Sequence, residues 1–123
     1  MSRLGRWLQE RRNAFLLSRY RHLRKTPRFR VVTDRLLGKP FRIPDGPSFY
    51  AGYREIFIQE LYRFETSNPA PVIIDCGANC GLSVVYFKQL FPAAKIVAVE
   101  ADPIVDYRDH EAISLGMQMY IDL

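Results

Sequence analysis

The run "PVIIDCGANCGLSVVYFKQLFPAAKIVAVE", residues 71–100, constrains the fold of this chain more than any other stretch. It opens on a continuous apolar segment of strand length that stops at an acid and a glycine. Such a run is the pattern of a strand buried on both faces of a parallel sheet. After Gly81, "LSVVYFKQLF" is apolar on nearly every side and reads as a helix built for burial. "PAA" ends it, and "KIVAVE" reads as a second strand that again finishes at an acid, Glu100. Strand, helix and strand within about 30 residues make a βαβ unit. Its strands are expected to lie parallel and its crossover to be right-handed. The expected fold class is therefore α/β, with a parallel sheet at the core.

In open parallel sheets ligands sit outside the carboxyl ends of the strands, and the first strand-to-helix turn is their usual cradle. Here that turn is Asp75-x-Gly77-x-Asn79-x-Gly81. Side chains at Gly77 and Gly81 would close backbone conformations open to glycine, or keep a ligand from the main chain. Asn79 tolerates the left-handed region better than most other residues. A dinucleotide fingerprint places its third glycine at the sixth position, whereas this pattern closes at the fifth. Asp75 separates the ligand classes further, since a carboxylate at the strand end repels a pyrophosphate but accepts hydrogen bonds from an ammonium group. Glu100 ends the neighbouring strand, where its two oxygens can receive both hydroxyls of a ribose. A nucleoside with an amino-acid tail is the ligand these residues describe.

Together with the preceding "YREIFIQELYRFE", the segment "VIIDCGANCGLSVVYFKQLFPAAKIVAVEADP" closely resembles the FkbM family of S-adenosylmethionine-dependent methyltransferases. The resemblance covers roughly Phe49 to Pro103 and implies a class I, Rossmann-like methyltransferase fold. Carried over by position, it implies that Asp75, Gly77, Asn79 and Gly81 shape the pocket for the methionine part of S-adenosylmethionine. It further implies that Glu100 binds the ribose hydroxyls, with Asp102 a weaker candidate at the same strand end. O-methylation of a hydroxyl on a small molecule or glycan is the implied reaction. After Pro103 the resemblance fades. "MQMYIDL" reads as a third strand after a short helix over 104–115, and strands four to seven do not fit in the remaining length. The expectation is an N-terminal portion of such an enzyme, inactive alone, with no acceptor site and no catalytic base assignable.

Charge divides the chain. Residues 1–30 hold ten Arg or Lys against one acid, Glu10, for a net +9, which leaves −4 on the rest of a chain with formal charge +5. "SRLGRWLQERRNAFLLSRYRHLRK" sets Leu4, Trp7, Leu8, Phe15, Tyr20 and Leu23 among arginines in a roughly helical rhythm, so one or two basic amphipathic helices are expected. Its apolar patch is too short for a secretory signal, although an Arg-rich, acid-poor start shares features with a transit peptide. Three divisions follow: a basic helical extension over 1–35, a Pro/Gly-rich connection over 36–49 that flanks a short "FRI" strand, and the incomplete cofactor-binding domain over 50–123. Within the last, Tyr53, Phe57, Leu61 and Phe64 recur at helical spacing, predicting a helix that ends near "TSNPAP".

Composition excludes several classes. At 48% apolar and 25% charged, the chain is neither wholly disordered nor collagen-like, and its apolar runs are too short to span a bilayer. Cys76 and Cys80, with only His22 and His110 as distant partners, are too few for a structural zinc site. They read as reduced thiols in a cytoplasmic protein, Cys80 as a small filler beside the cradle. Tyr50, Tyr53 and Tyr62 read as packing rather than a substrate mouth, and His110 has no partners that would make it a base. Two rivals to the methyltransferase reading remain. One is a non-enzymatic module whose basic arm over 1–30 binds an anionic membrane or nucleic acid. The other is a fragment of an NAD-binding oxidoreductase.

Overall fold

The structure, a computed structural model, describes residues 1–100 and 118–120. Helix α1 (Arg3–Ser18) starts at Ser2, whose hydroxyl accepts the Gly5 N–H at 3.0 Å and so satisfies one of the first-turn donors. A 3₁₀ turn, Arg21–Lys25, follows. Strands β1 (Val32–Leu36) and β2 (Lys39–Ile43) form an antiparallel hairpin closed by the Leu36 and Lys39 pair. Leu37 and Gly38 in its loop both take positive φ, 51° and 78°. Two successive left-handed residues match the right-handed twist of the flanking strands. Helix α2 (Gly46–Tyr53) runs directly into a π-helical turn, Arg54–Ile58.

The βαβ unit then appears as strand β3 (Val72–Cys76), helix α3 (Leu82–Leu90) and strand β4 (Lys95–Val99). Strand β5 (Gln118–Tyr120) pairs with the far side of β4, giving the order β3-β4-β5 with both pairings parallel. The chain is thus mixed α/β with a small parallel sheet. A third strand at "MQMYIDL" matches β5, while the short helix expected over 104–115 lies outside the described residues.

One core joins the N-terminal elements to the sheet. Tyr20, Leu23, Leu36, Phe41, Ile43, Phe49 and Tyr53 pack with Leu82, Val84, Tyr86, Ile96 and Ala98. The aromatic contacts are close, with Tyr20 4.6 Å from Tyr53 and 5.2 Å from Phe49 between ring centroids. Tyr20 also donates its hydroxyl to the Arg35 carbonyl at 2.8 Å. Phe41 and Ile43 are among the most deeply buried side chains, and each such burial contributes roughly 1.5–3 kcal/mol relative to exposure. Residues 36–49 are therefore part of the core, carrying the hairpin's second strand, with the expected "FRI" inside it, and the start of α2.

Two sequence expectations need correction. The helix expected from Tyr50 to Phe64 begins at Gly46 and ends in the turn at Arg54–Ile58. Asp45 caps it, and Pro47 lies in its first turn, where its missing N–H leaves no helical bond unmade. Glu60 takes φ 52° just past the turn. From there Tyr62 and Phe64 reach α3 out of irregular backbone, Tyr62 stacking on Phe87 and Phe64 lying 4.9 Å from Phe91. Second, β3 is not buried on both faces. Its Ile73 side meets the core, whereas Val72 and Ile74 are each 68% exposed. Only Ile73 of these three packs against the core, while Ile74 lines the cavity described below.

Candidate functional site

Three left-handed residues define the turn after β3: Gly77 at φ 81°, Asn79 at φ 50° and Gly81 at φ 84°. This alternation folds the chain back from the strand end and into α3. A Cβ on Gly77 would touch nothing within 4 Å, so glycine is required there by the dihedral angle rather than by crowding. The turn is tied to the neighbouring strand, because the N–H groups of Gly77 and Ala78 both donate to the Val99 carbonyl, at 2.7 and 3.1 Å. Gly81 N–H donates to the Ala78 carbonyl at 2.9 Å, closing the loop on itself.

Glu100 sits where β4 ends, and its Oε2 accepts the Asn79 N–H at 2.6 Å. Two residues 21 apart in sequence are thereby held as one unit, and the charge-assisted bond fixes the carboxylate at the mouth of the turn. Asp75 accepts a hydrogen bond from the buried Ser83 hydroxyl, in the first turn of α3. That contact orients Asp75, and a carboxylate with about four lone-pair sites keeps capacity for a further donor. Ser83 was not singled out from the sequence. A hydroxyl eight positions after an acid carries no local signal until the strand and helix bring them together. Of the candidate residues, Asp75, Gly77, Asn79 and Glu100 line one cavity and Gly81 begins the helix behind it. Asp102 lies outside the described residues.

The cavity has a volume of about 570 Å³, within the range that holds a drug-sized or nucleoside-sized ligand. Its second wall comes from elements that sequence reasoning placed elsewhere: Phe29, Asp45, Ser48, Phe49, Gly52 and Tyr62. Asp45 organises that wall. Its Oδ1 accepts the Phe29 N–H at 2.7 Å and the Arg28 Nε–H at 3.1 Å, while Oδ2 accepts the Ser48 N–H at 3.1 Å. Burial alone would raise this carboxyl, but the Ser48 and Phe29 hydrogen bonds and the Arg28 charge overcome it and bring the pKa down to about 2. Phe29 is held at φ 58° and is 82% exposed, with the Arg28 guanidinium 5.0 Å from its ring centroid.

Other residues weighed from the sequence fall outside this chemistry. Cys76 and Cys80 are both free thiols, and burial pushes the Cys80 thiol up to about 11, which keeps it protonated and unreactive near neutrality. Tyr53 is in the core, Tyr50 is half-buried beneath the Arg24 guanidinium, and Tyr62 alone of the three lines the cavity. His110 lies outside the described residues. No group of three or more His, Cys, Asp or Glu among the described residues is placed to hold a metal ion. No described helix is long and apolar enough to cross a membrane.

Comparison with known proteins gives two partial matches. The chain is 42% identical over 52 residues to the methyltransferase sdnD of Sordaria araneosa, a match that covers 42% of this chain and 20% of that protein. It is 36% identical over 66 residues to the AMB antimetabolite synthetase AmbE of Pseudomonas aeruginosa, covering 52% of this chain and 3% of that protein. The chain thus spans a fifth or less of the length of these curated relatives. No protein-family model matches it, and no solved structure does. A segment of this α/β chain is therefore similar to part of a methyltransferase.

Proposed function

We propose that the chain carries the S-adenosylmethionine-binding part of a Rossmann-like methyltransferase of the FkbM kind, acting on a hydroxyl of a small molecule or glycan. The observation that carries this reading is the joining of Glu100 to the left-handed turn through the Asn79 N–H, 2.6 Å away. A dinucleotide site presents its turn N–H groups to a pyrophosphate. Here carboxylates stand at both strand ends, Asp75 and Glu100, and the turn amides of Gly77 and Ala78 are spent on Val99. Anionic phosphates would meet like charge at both of these strand ends. A neutral ribose and a cationic amine would find acceptors there. The partial likeness to a methyltransferase supports the same reading.

When bound, S-adenosylmethionine supplies an electrophilic methyl group on a sulfonium. The residues of this chain would do the holding: Glu100 accepting the ribose hydroxyls, Asp75 the amine, and Gly77, Asn79 and Gly81 letting the ligand approach the main chain. Phe29, Asp45 and Ser48 would form the opposite wall. Methyl transfer needs donor and acceptor held in line at near-attack distance, and none of the described residues is assigned as the acceptor's base.

Calorimetric titration with S-adenosylhomocysteine and with NAD tests the reading. The expected result is selective binding of S-adenosylhomocysteine that weakens by about tenfold or more in Glu100→Ala, the loss of a charge-assisted hydrogen-bond acceptor. Selective binding of NAD would overturn it in favour of an oxidoreductase fragment.

A further inference from the structure

Helix α1 faces the wrong way for a helix that belongs wholly to a globular core. Residues three and four apart share a helix face, so Leu4, Trp7, Leu8, Arg11 and Phe15 form one stripe and Gly5, Gln9, Asn13 and Leu16 form another. The second stripe is the half-buried one. Gln9 and Asn13, linked side chain to side chain at 3.4 Å, sit on it with Leu16 and Leu17 packed against the core. The large apolar residues of the first stripe are on the outside, with Leu8 53% and Phe15 75% exposed. No residue of α1 is fully buried.

That exposed stripe is also strongly basic. Arg11 lies within it, its guanidinium 4.8 Å from the Trp7 ring centroid, and Arg3 and Arg12 border it, both exposed. The following 3₁₀ turn adds Arg24 and Lys25 in its last residues. Glu10 is the single acid among the first 30 residues.

We propose that α1 is a docking helix for an anionic lipid surface, lying in the headgroup layer with Leu4, Trp7, Leu8 and Phe15 inserted and the arginines on the phosphates. The pairing of properties selects this occupant. A helix that binds in the plane of a bilayer has an apolar face carrying Trp, Phe or Leu and basic residues that meet anionic headgroups. Nucleic acid would use the arginines but has little use for a stripe of four large apolar side chains, since its backbone is met by charged and polar groups. From Leu4 to Phe15 the stripe is about 16 Å long at 1.5 Å per residue, long enough to seat all four side chains in one membrane plane. This docking is independent of what the cavity binds.

Trp7 is the sole tryptophan, so its fluorescence reads the docking face directly. The full chain would be titrated with vesicles of equimolar phosphatidylcholine and phosphatidylserine, and separately with pure phosphatidylcholine. The expected result is co-sedimentation with the anionic vesicles and a blue-shifted Trp7 emission shielded from acrylamide. Binding should weaken by about tenfold or more when Leu8→Glu and Phe15→Glu are combined, and also fall as salt is raised. Both positions are exposed, so unchanged circular dichroism and unfolding would show that the variant folds. No Trp7 shift on anionic vesicles at low salt would overturn the proposal. So would vesicle binding that is unchanged in the double variant. Displacement from vesicles by duplex DNA that the double variant binds equally well would overturn it too, pointing to nucleic acid instead.

Discussion

Asp45 shows how much one side chain can do here. It caps α2, pairs with Arg28 and holds the Phe29 N–H, so that the second wall of the cavity rests on a single carboxylate. The interaction should be visible in the pH dependence of stability. Its folded pKa of about 2 lies below the ordinary 3.8, so the unfolded chain takes up the proton first as pH falls. The stabilisation is full above the unfolded value and is lost as pH drops from about 4 to about 2, with a size on the order of 2 kcal/mol. Urea unfolding of the wild type and Asp45→Asn across that range checks this. The difference between them should be largest above pH 4 and should shrink towards pH 2. Asp75, Gly77, Asn79 and Glu100 were legible as candidates because their types and spacing belong to one local turn and one strand end. Asp45, Ser83 and Phe29 were not, since each takes part through contacts made across elements.

At the scale of elements, glycine and proline carried more than one meaning. "IPDGPSF" reads as a breaker-rich connection, yet Asp45, Gly46 and Pro47 make the start of α2. Gly46 is needed there for close approach rather than for freedom. A Cβ at this position would stand 2.0 Å from Thr26 Oγ1 and 2.7 Å from the Leu23 carbonyl oxygen. The carbonyl cannot move aside without displacing the 3₁₀ turn that carries buried Leu23. Gly46→Ala should therefore destabilise by about 3 kcal/mol, an overpacking effect that outweighs the better helix propensity of alanine. Chemical denaturation measures it, and Gly38→Ala would give the contrasting case of a strained φ in open space. The βαβ unit was readable because its apolar runs have strand and helix lengths and are bounded by glycine and proline. The end of α2 was not, because Phe64 follows a helical spacing in sequence while its packing partners are supplied by α3, through Phe87, and by Phe91 just past its end.

Across the whole molecule, the feature with most consequence is the open side of the sheet. Strand β3 pairs only with β4 among the described strands, and Val72 and Ile74 lie exposed on its outer face. An apolar strand with an unpaired edge invites association. Concentration-dependent self-association is expected in sedimentation velocity, and Val72→Lys should reduce it while leaving the cavity intact, since Val72 is not part of its lining. Unchanged association in this variant would move the contact away from β3. It would leave the apolar stripe of α1 as the surface to examine next.

What the sequence determined by itself was the local chemistry: an apolar strand, a left-handed turn spaced for Gly, Asn and Gly, a helix, a second strand and an acid at its end. These follow from steric limits on φ, from apolar periodicity and from charge, all of which act over a few residues. Tertiary structure alone decided which face of α1 is turned to solvent, which face of β3 is covered, and that the hairpin and α2 would build the cavity's second wall. Those outcomes depend on which surfaces find partners. Because apolar burial is non-directional, the pattern of apolar residues marks the surfaces to be covered without saying what will cover them.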